Sequence, residues 1–281
     1  MKKMKFVAFG GFVLMIFMSY SQSFAQQKKI SDNSINFTDK NGLKQGYWKK
    51  VYPDGKTAYE VYFKDNKPVG DFKRFHENGI LSIHIEYDEQ GKHGKGKIYD
   101  ENGNLLGEGN YLGKNKDSIW NYYNEQKVLL IQESFKNGKK HGLCKMYYPS
   151  GVLAEEKKWE NDVPNGIWRK YFENGKKWFE TKHVAGKRDG AFNLYFTNGN
   201  PEMLGWYKND LKHGKWRYFD KNGNPRIELN YVEGEAENQD KLDSLETQQQ
   251  IDMEKNIGRF REPREFQGDP SVWFLQGGKK Y

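Results

Sequence analysis

The chain is poor in cysteine and in apolar residues. Cys144 is the single cysteine in 281 residues, which excludes an internal disulfide framework and the clustered thiolates of a cysteine-rich zinc site. Hydrophobic content is 36% and mean hydropathy is −1.02, low enough to raise the question of disorder. Beyond residue 25 no stretch approaches the length of a membrane span. There is no phosphate-binding glycine loop, no Gly-x-Ser-x-Gly and no His-Glu-x-x-His. No converging acid, base and nucleophile set is visible, so a catalytic reading has little to stand on.

Aromatic residues are plentiful instead, at 16%, and they are periodic. A 24-residue unit recurs eight times without insertion. Its leading glycine stands at Gly46, Gly70, Gly94, Gly142, Gly166, Gly190 and Gly214, with Ser118 in its place once. Five residues on come Phe75, Tyr99, Tyr123, Tyr147, Tyr171, Tyr195 and Phe219, with Val51 the exception. Nine residues on is a second glycine, replaced once by Lys127. Seventeen residues on is another aromatic, with His183 the misfit. A period of this length means a repeat architecture.

Each unit reads as a β-hairpin. Asp54-Gly55, Asn78-Gly79, Asn102-Gly103, Asn174-Gly175, Asn198-Gly199 and Asn222-Gly223 are expected to be two-residue type I′ loops, both residues at positive φ. The other end of each hairpin has a looser turn signal. The runs between are strand-length and rich in Tyr, Phe, Trp, Ile and Leu. The expected fold is therefore all-β: an elongated single-sheet array of about sixteen strands.

The hairpin register predicts which residues face each other. Lys49 should lie opposite Glu60, Lys97 opposite Glu108, Lys145 opposite Glu156, Arg169 opposite Glu180 and Arg217 opposite Glu228. Opposite charges fall together in every one of those pairs, which supports the register. One face then collects the leading glycines, Trp48, Phe72, Trp120, Trp168, Phe192 and Trp216, the leucines Leu81, Leu105, Leu129 and Leu153, and the aromatics seventeen residues in. This is the expected buried face. The other face carries the charge pairs and the row from Phe75 to Phe219.

The boundaries follow the pattern. Residues 1–25 read as a signal peptide: a basic start, an apolar stretch from Phe6 to Met18, and Ser23-Phe24-Ala25 as cleavage site. Residues 26–34 are a polar lead-in expected to be disordered. The array covers 35–234, a half-repeat and then eight repeats. Residues 235–281 break the period. Asn238 to Asn256 has a weak helical pattern through Leu242, Leu245 and Met253, continued by Ile257. Val272-Trp273-Phe274-Leu275 is expected to cap the open edge of the sheet or to bind a partner.

Charge and histidines refine this. The array and its short lead-in together hold the whole net charge of +8, because the +3 of the first 25 residues cancels the −3 of the tail. That suits an anionic partner: phospholipid, acidic polymer or acidic protein. His93, His141 and His213 each precede a leading glycine and lie too far apart to share one ion. No metal and no cofactor is expected. Cys144 stands in a column otherwise filled by Trp or Phe, and reads as a small buried hydrophobe.

Units such as Lys212-His213-Gly214-Lys215-Trp216-Arg217-Tyr218-Phe219 with Asn222-Gly223, and Asn165 to Phe172 with Asn174-Gly175, resemble the bacterial variant of the MORN repeat family. The resemblance covers residues 35–234. It implies an elongated hairpin array serving as scaffold or binding surface, with phospholipid or protein partners. Bacterial proteins of this look are often labelled YwqK-type antitoxins, a label at odds with an exported chain. The expectation is an exported, non-enzymatic binding protein, periplasmic, envelope-associated or secreted. Its partner is a protein or an anionic envelope component, phospholipid or polysaccharide, not nucleic acid, and no membrane span remains after cleavage. An antitoxin or immunity protein is the alternative, and a hydrolase of envelope polymer comes third. The candidate surface is Phe75, Tyr99, Tyr123, Tyr147, Tyr171, Tyr195 and Phe219, flanked by Lys73, Lys97, Lys145, Arg169 and Arg217.

Overall fold

A computed structural model describes residues 35–238, together with Asp243. The signal-peptide, lead-in and C-terminal cap assignments lie outside the described residues. Between Phe37 and Ala236 the chain forms one sheet of nineteen strands. It is an antiparallel meander in which each strand pairs with its sequence neighbours; the short strands Phe37–Thr38, Lys139–Lys140 and Glu235–Ala236 raise the count above sixteen.

The expected register is observed. Lys49 pairs with Glu60, Lys97 with Glu108, Lys145 with Glu156, Arg169 with Glu180 and Arg217 with Glu228. The turns that set it differ from expectation. At the Asn-Gly end the glycine alone has positive φ, as at Gly175 (φ 79°). Gly175 N–H donates to Phe172 O, and Phe172 N–H donates to Lys176 O. This is a three-residue loop with a glycine bulge, not a type I′ pair. The type I′ pairs are at the looser end: Asp65-Asn66, Asn161-Asp162 and Asn209-Asp210 all have both residues at positive φ. A second bulge follows each Asn-Gly turn. Tyr171 pairs with Lys177 and Lys170 with Phe179, so Trp178 is the extra residue. The longer loop and the added bulge cancel, which is why the charge pairs fall where a two-residue loop would put them.

That bulge moves the leucines. Leu81, Leu105, Leu129 and Leu153 pair with Phe75, Tyr99, Tyr123 and Tyr147. Directly opposed residues point to the same side of a sheet, so these leucines lie on the charged face and not on the buried one. Lys177 in the same column confirms it, its Nζ 3.2 Å from Glu180. The residue after the leucine takes the inner position; Leu130 packs on the core of Ile98, Trp120, Tyr122, Ile131 and Phe135.

Most leading glycines sit in another bulge, although Gly94 pairs in regular register. Lys157 pairs with Trp168 and Trp159 with Pro164, leaving two extra residues on the strand around Gly166, whose φ is 119°. A side chain there is strained, although Ser118 accepts it at φ 58°. Bulges bend and twist a sheet, and the inner face of a single sheet is buried only where it curls. Trp120 and Trp216 reach 0% exposure there.

Both edges are stitched from repeat to repeat. Asn66, Asp162 and Asp210 N–H donate to Lys44, Lys140 and Arg188 O, each one repeat back. At the other edge Asn78, Asn174 and Asn198 Nδ2 donate to Glu101, Thr197 and Lys221 O, one repeat on. Their Oδ1 atoms accept from Ile80, Lys176 and Asn200 N–H within the turn. Asparagine is used here for both ends of its amide, not for tolerance of positive φ.

Candidate functional site

The outer face carries the candidate row. Phe75, Tyr99, Tyr123, Tyr147, Tyr171, Tyr195 and Phe219 are all half-buried on it, once per hairpin. Hairpin spacing is roughly 10 Å from two strand widths. The leucine column, which sequence reasoning placed on the wrong side, runs beside the row. The signal that could have found it is Lys177, a charge in a column otherwise read as core.

The flanking charges form a network more connected than simple cross-hairpin pairs. Arg169 closes on Glu180 as expected, and also donates to Glu156 at 2.9 Å. Tyr171 OH donates to the same Glu156 oxygen at 2.8 Å. In the preceding repeats Tyr123 OH donates to Glu108 at 2.9 Å and Tyr47 OH to Glu60 at 2.8 Å. Glu228 pairs with Lys215, not with its opposite number Arg217. Lys73 lies 3.5 Å from Asp71, which also holds His84 at 2.7 Å. Lys97 and Arg217 are exposed, and Lys145 is half-buried.

The protonation behaviour follows from these contacts. Burial and the Glu60 and Glu156 carboxylates push Tyr47 and Tyr171 up to about 12. Burial, then Glu108, raises Tyr123. Burial works to raise Glu156 and Glu180, but bonds from Arg169 outweigh it and both end below their ordinary value. The two carboxylates are therefore ionised hydrogen-bond acceptors at neutral pH, fixing the aromatic and cationic side chains in place.

Charge is not confined to the outer face. Lys44 lies 4.5 Å over Trp48, Lys116 4.6 Å over Trp120, Arg188 4.0 Å over Tyr207 and Lys212 4.8 Å over Trp216. Lys157 lies between Trp159 and Trp168, at 4.6 and 4.1 Å. Sequence reading missed these inner-face cations, of which Lys44, Lys116, Arg188 and Lys212 form a column two residues ahead of the leading position. It takes up part of the positive charge that pointed to an anionic partner.

A shallow cleft of about 470 Å³ opens among His141, Trp159, Asn165, Lys182 and His183. His183 is buried, and burial lowers its pKa. Among the described residues no group of three or more His, Cys, Asp or Glu is placed to hold a metal, and no helix is long and apolar enough to cross a membrane. Cys144 is half-buried, with its thiol pushed up by burial.

A single-layer array of β-hairpins, stitched along both edges and presenting one long side-chain face, defines a repeat protein built as a scaffold. The pattern described as MORN repeat variant matches residues 44–65, 68–89, 92–112, 140–161, 164–184 and 212–233. The chain belongs to that family, whose repeats are commonly scaffolds that bind proteins or membranes. No curated protein matches it in sequence. Two of the solved structures that it matches serve as examples. The crystal structure of TarM is 10% identical over 36% of this chain and 21% of that one, at a TM-score of 0.25. The crystal structure of TcdB2-TccC3-Cdc42 is 11% identical over 71% of this chain and 13% of that one, at a TM-score of 0.17. This chain thus spans a small part of either, and at such scores the likeness carries no argument.

Proposed function

We propose that the protein is an exported, non-enzymatic binding scaffold whose outer face takes a protein partner. The observation that carries this is the paired apolar strip on that face. Aromatics from Phe75 to Phe219 stand half-buried beside the leucines from Leu81 to Leu153, and Tyr123 and Tyr171 are held by Glu108 and Glu156. Ile119, Leu143 and Ile167, one per successive hairpin on the same face, are 49%, 40% and 42% exposed. Rigid aromatics and exposed aliphatics rimmed by charge are the composition of a protein-recognition surface. Lys97, Lys145, Arg169 and Arg217 favour an acidic partner edge, and a face repeated along the array spreads affinity over several hairpins. Export rests on the sequence of residues 1–25, and mass spectrometry of the mature chain should find an N-terminus near Gln26.

The test replaces Tyr99, Tyr123 and Tyr147 by Ala, singly and together. Circular dichroism checks folding, and binding is measured to the partner recovered from envelope extract and, separately, to phosphatidylglycerol vesicles. The triple variant should lose most binding to the protein partner, with weakening by salt. Folded variants that bind as tightly as the parent remove this face from the function. Binding to the vesicles alone would turn the reading toward an anionic lipid surface.

A further inference from the structure

The inner face holds two apolar cores with a polar stretch between them. One core is built on Trp120, Tyr122 and Ile131, the other on Trp216, Tyr218 and Leu229. The position fifteen residues after the leading one is apolar or glycine in five repeats, but Glu133, Lys157 and Thr181 in three successive ones. Each of these three pairs directly with an inner-face tryptophan, Trp120 or Trp168. Two residues beyond Thr181, His183 replaces the aromatic of the other repeats. The buried side-chain atoms that lack a hydrogen-bond partner among the described residues all belong to this stretch: Glu133 Oε2, His141 Nδ1, Trp168 Nε1, Thr181 Oγ1 and His183 Nδ1. A buried polar atom without a partner costs stability, so native folds keep few of them.

Three of those atoms meet at one spot. Thr181 lies directly across from Trp168, and the His183 ring is 5.7 Å from the Trp168 ring. Thr181 and His183 are 1% and 7% exposed. Trp120 and Trp216 lie on glycine and donate their indole N–H to Asn110 and Trp206 O. Lys157 takes the glycine's place opposite Trp168 and leaves that N–H unbonded. It also brings a charge, with its Nζ 4.1 Å over the Trp168 ring and 4.6 Å over Trp159. Lys140 and Lys170 are held by Glu133 at 2.8 Å and Glu155 at 3.7 Å. Lys157 has no such ion pair among the described residues. Burial lowers its pKa, and the Lys170 and Lys140 charges add to the effect against Glu155. Burial, then the Lys157 charge, lowers His183 too. Its ring is neutral at neutral pH and free to carry its proton on Nδ1. Trp159 and His183 also bound the cleft of about 470 Å³, a volume in the range of small-molecule sites. Lys158, Lys182 and His141 line that cleft against one carboxylate, Glu160.

We infer that Lys157, Trp168, Thr181 and His183 form a binding site for the carboxylate of a small organic acid. A carboxylate has two oxygens with about four lone-pair sites. The Lys157 ammonium, the Trp168 indole N–H, the Thr181 hydroxyl and the His183 Nδ1–H supply one donor for each. One ammonium also balances one negative charge. A phosphate group carries roughly −1.5 to −2 and would leave charge uncompensated in a half-buried site. The Trp159 ring, on the other side of the Lys157 ammonium, is the surface for the body of the acid. The site lies on the inner face, so the inference does not rest on the protein-binding reading of the outer one.

Calorimetric titration of the full-length protein with sodium benzoate tests it, with benzyl alcohol and inorganic phosphate as comparison probes. Benzoate should bind on the order of tenfold more tightly than either, because only it brings a single charge on two oxygens. Lys157→Gln, Trp168→Phe and Thr181→Val should each weaken benzoate roughly tenfold. Without benzoate, Thr181→Val should be at least as stable as the parent, since it removes an unpartnered buried hydroxyl. A role in the fold alone would move stability the other way. Benzyl alcohol or phosphate binding as tightly as benzoate would overturn the carboxylate. Benzoate binding unmoved by the three substitutions, or no benzoate binding, would overturn the site. So would a Thr181→Val chain clearly less stable than the parent. Should the variants fail to fold, nuclear magnetic resonance on the parent chain decides the matter. The Trp168 indole N–H and His183 ring signals should shift as benzoate is added, and signals that stay fixed overturn the inference.

Discussion

The indole of Trp216 lies flat on Gly205, so close that a Cβ on that glycine would come within 3.0 Å of ring atoms. The same packing joins Trp120 to Gly109. A glycine across the strand lets the ring lie against the backbone, reach a carbonyl with its N–H and leave solvent altogether. Gly205→Ala should therefore cost about 3 kcal/mol, the upper range for an overpacked core. Denaturant titration measures it; a loss below ~1 kcal/mol would mean the ring can lift away cheaply.

Trp168 faces Lys157 in place of glycine. It cannot lie down in the same way, and it remains half-buried with its indole N–H unpartnered. Trp216→Ala should cost roughly 3–5 kcal/mol, as large core truncations do. Trp168→Ala should cost clearly less, against the equal burial that its column in the sequence suggests. Paired unfolding curves of the two variants check this ordering.

Asn174 bridges two repeats. Its Oδ1 accepts from Lys176 N–H at 2.9 Å and its Nδ2 donates to Thr197 O at 3.1 Å. Asn174→Asp keeps the first bond and loses the second, and Asn174→Ala loses both. Each bond is worth about 0.5–1.5 kcal/mol. Stability measured by denaturant should fall in the order parent, Asp, Ala; an Asp variant as stable as the parent would remove the inter-repeat bond from the account.

Arg169 joins Glu156 and Glu180, and both carboxyls titrate below their ordinary value of 4.5. Groups with a depressed folded pKa stabilise the fold above the unfolded value and lose that contribution as pH falls through the folded one. Stability of the parent should therefore decline as pH drops below about 5. Arg169→Gln should decline less steeply over that window, since it removes the partner that depresses both carboxyls. Parallel slopes for the two chains would show that this network does not set the acid response.

Lys127 stands where the other repeats have glycine, at φ 61°. A non-glycine residue in that region carries a cost of about 1 kcal/mol. Lys127→Gly should raise the unfolding midpoint by an amount matching up to ~1 kcal/mol, less the entropy that glycine loses on folding. A lower midpoint would show that Lys127 makes a compensating contact.

Much of this architecture is written in the period. Columns recurring every 24 residues determine a hairpin array, and the charge pairs determine the strand register, because antiparallel pairing leaves one partner for each position. The sequence also identified the half-buried row of Phe75 to Phe219, since it alternates with the inner tryptophans along each strand. Bulges were not legible there. An extra residue such as Trp178 looks like any other strand residue, yet it carries Leu81 to Leu153 from one face to the other. Which turn is type I′ was hidden too, because Asn-Gly satisfies two turn geometries and only the neighbouring repeat, by accepting the Asn174 amide, selects between them. The fate of each cation was likewise decided in three dimensions. Lys116 and Lys212 are ordinary surface charges in the sequence, and the folded sheet lays them over Trp120 and Trp216.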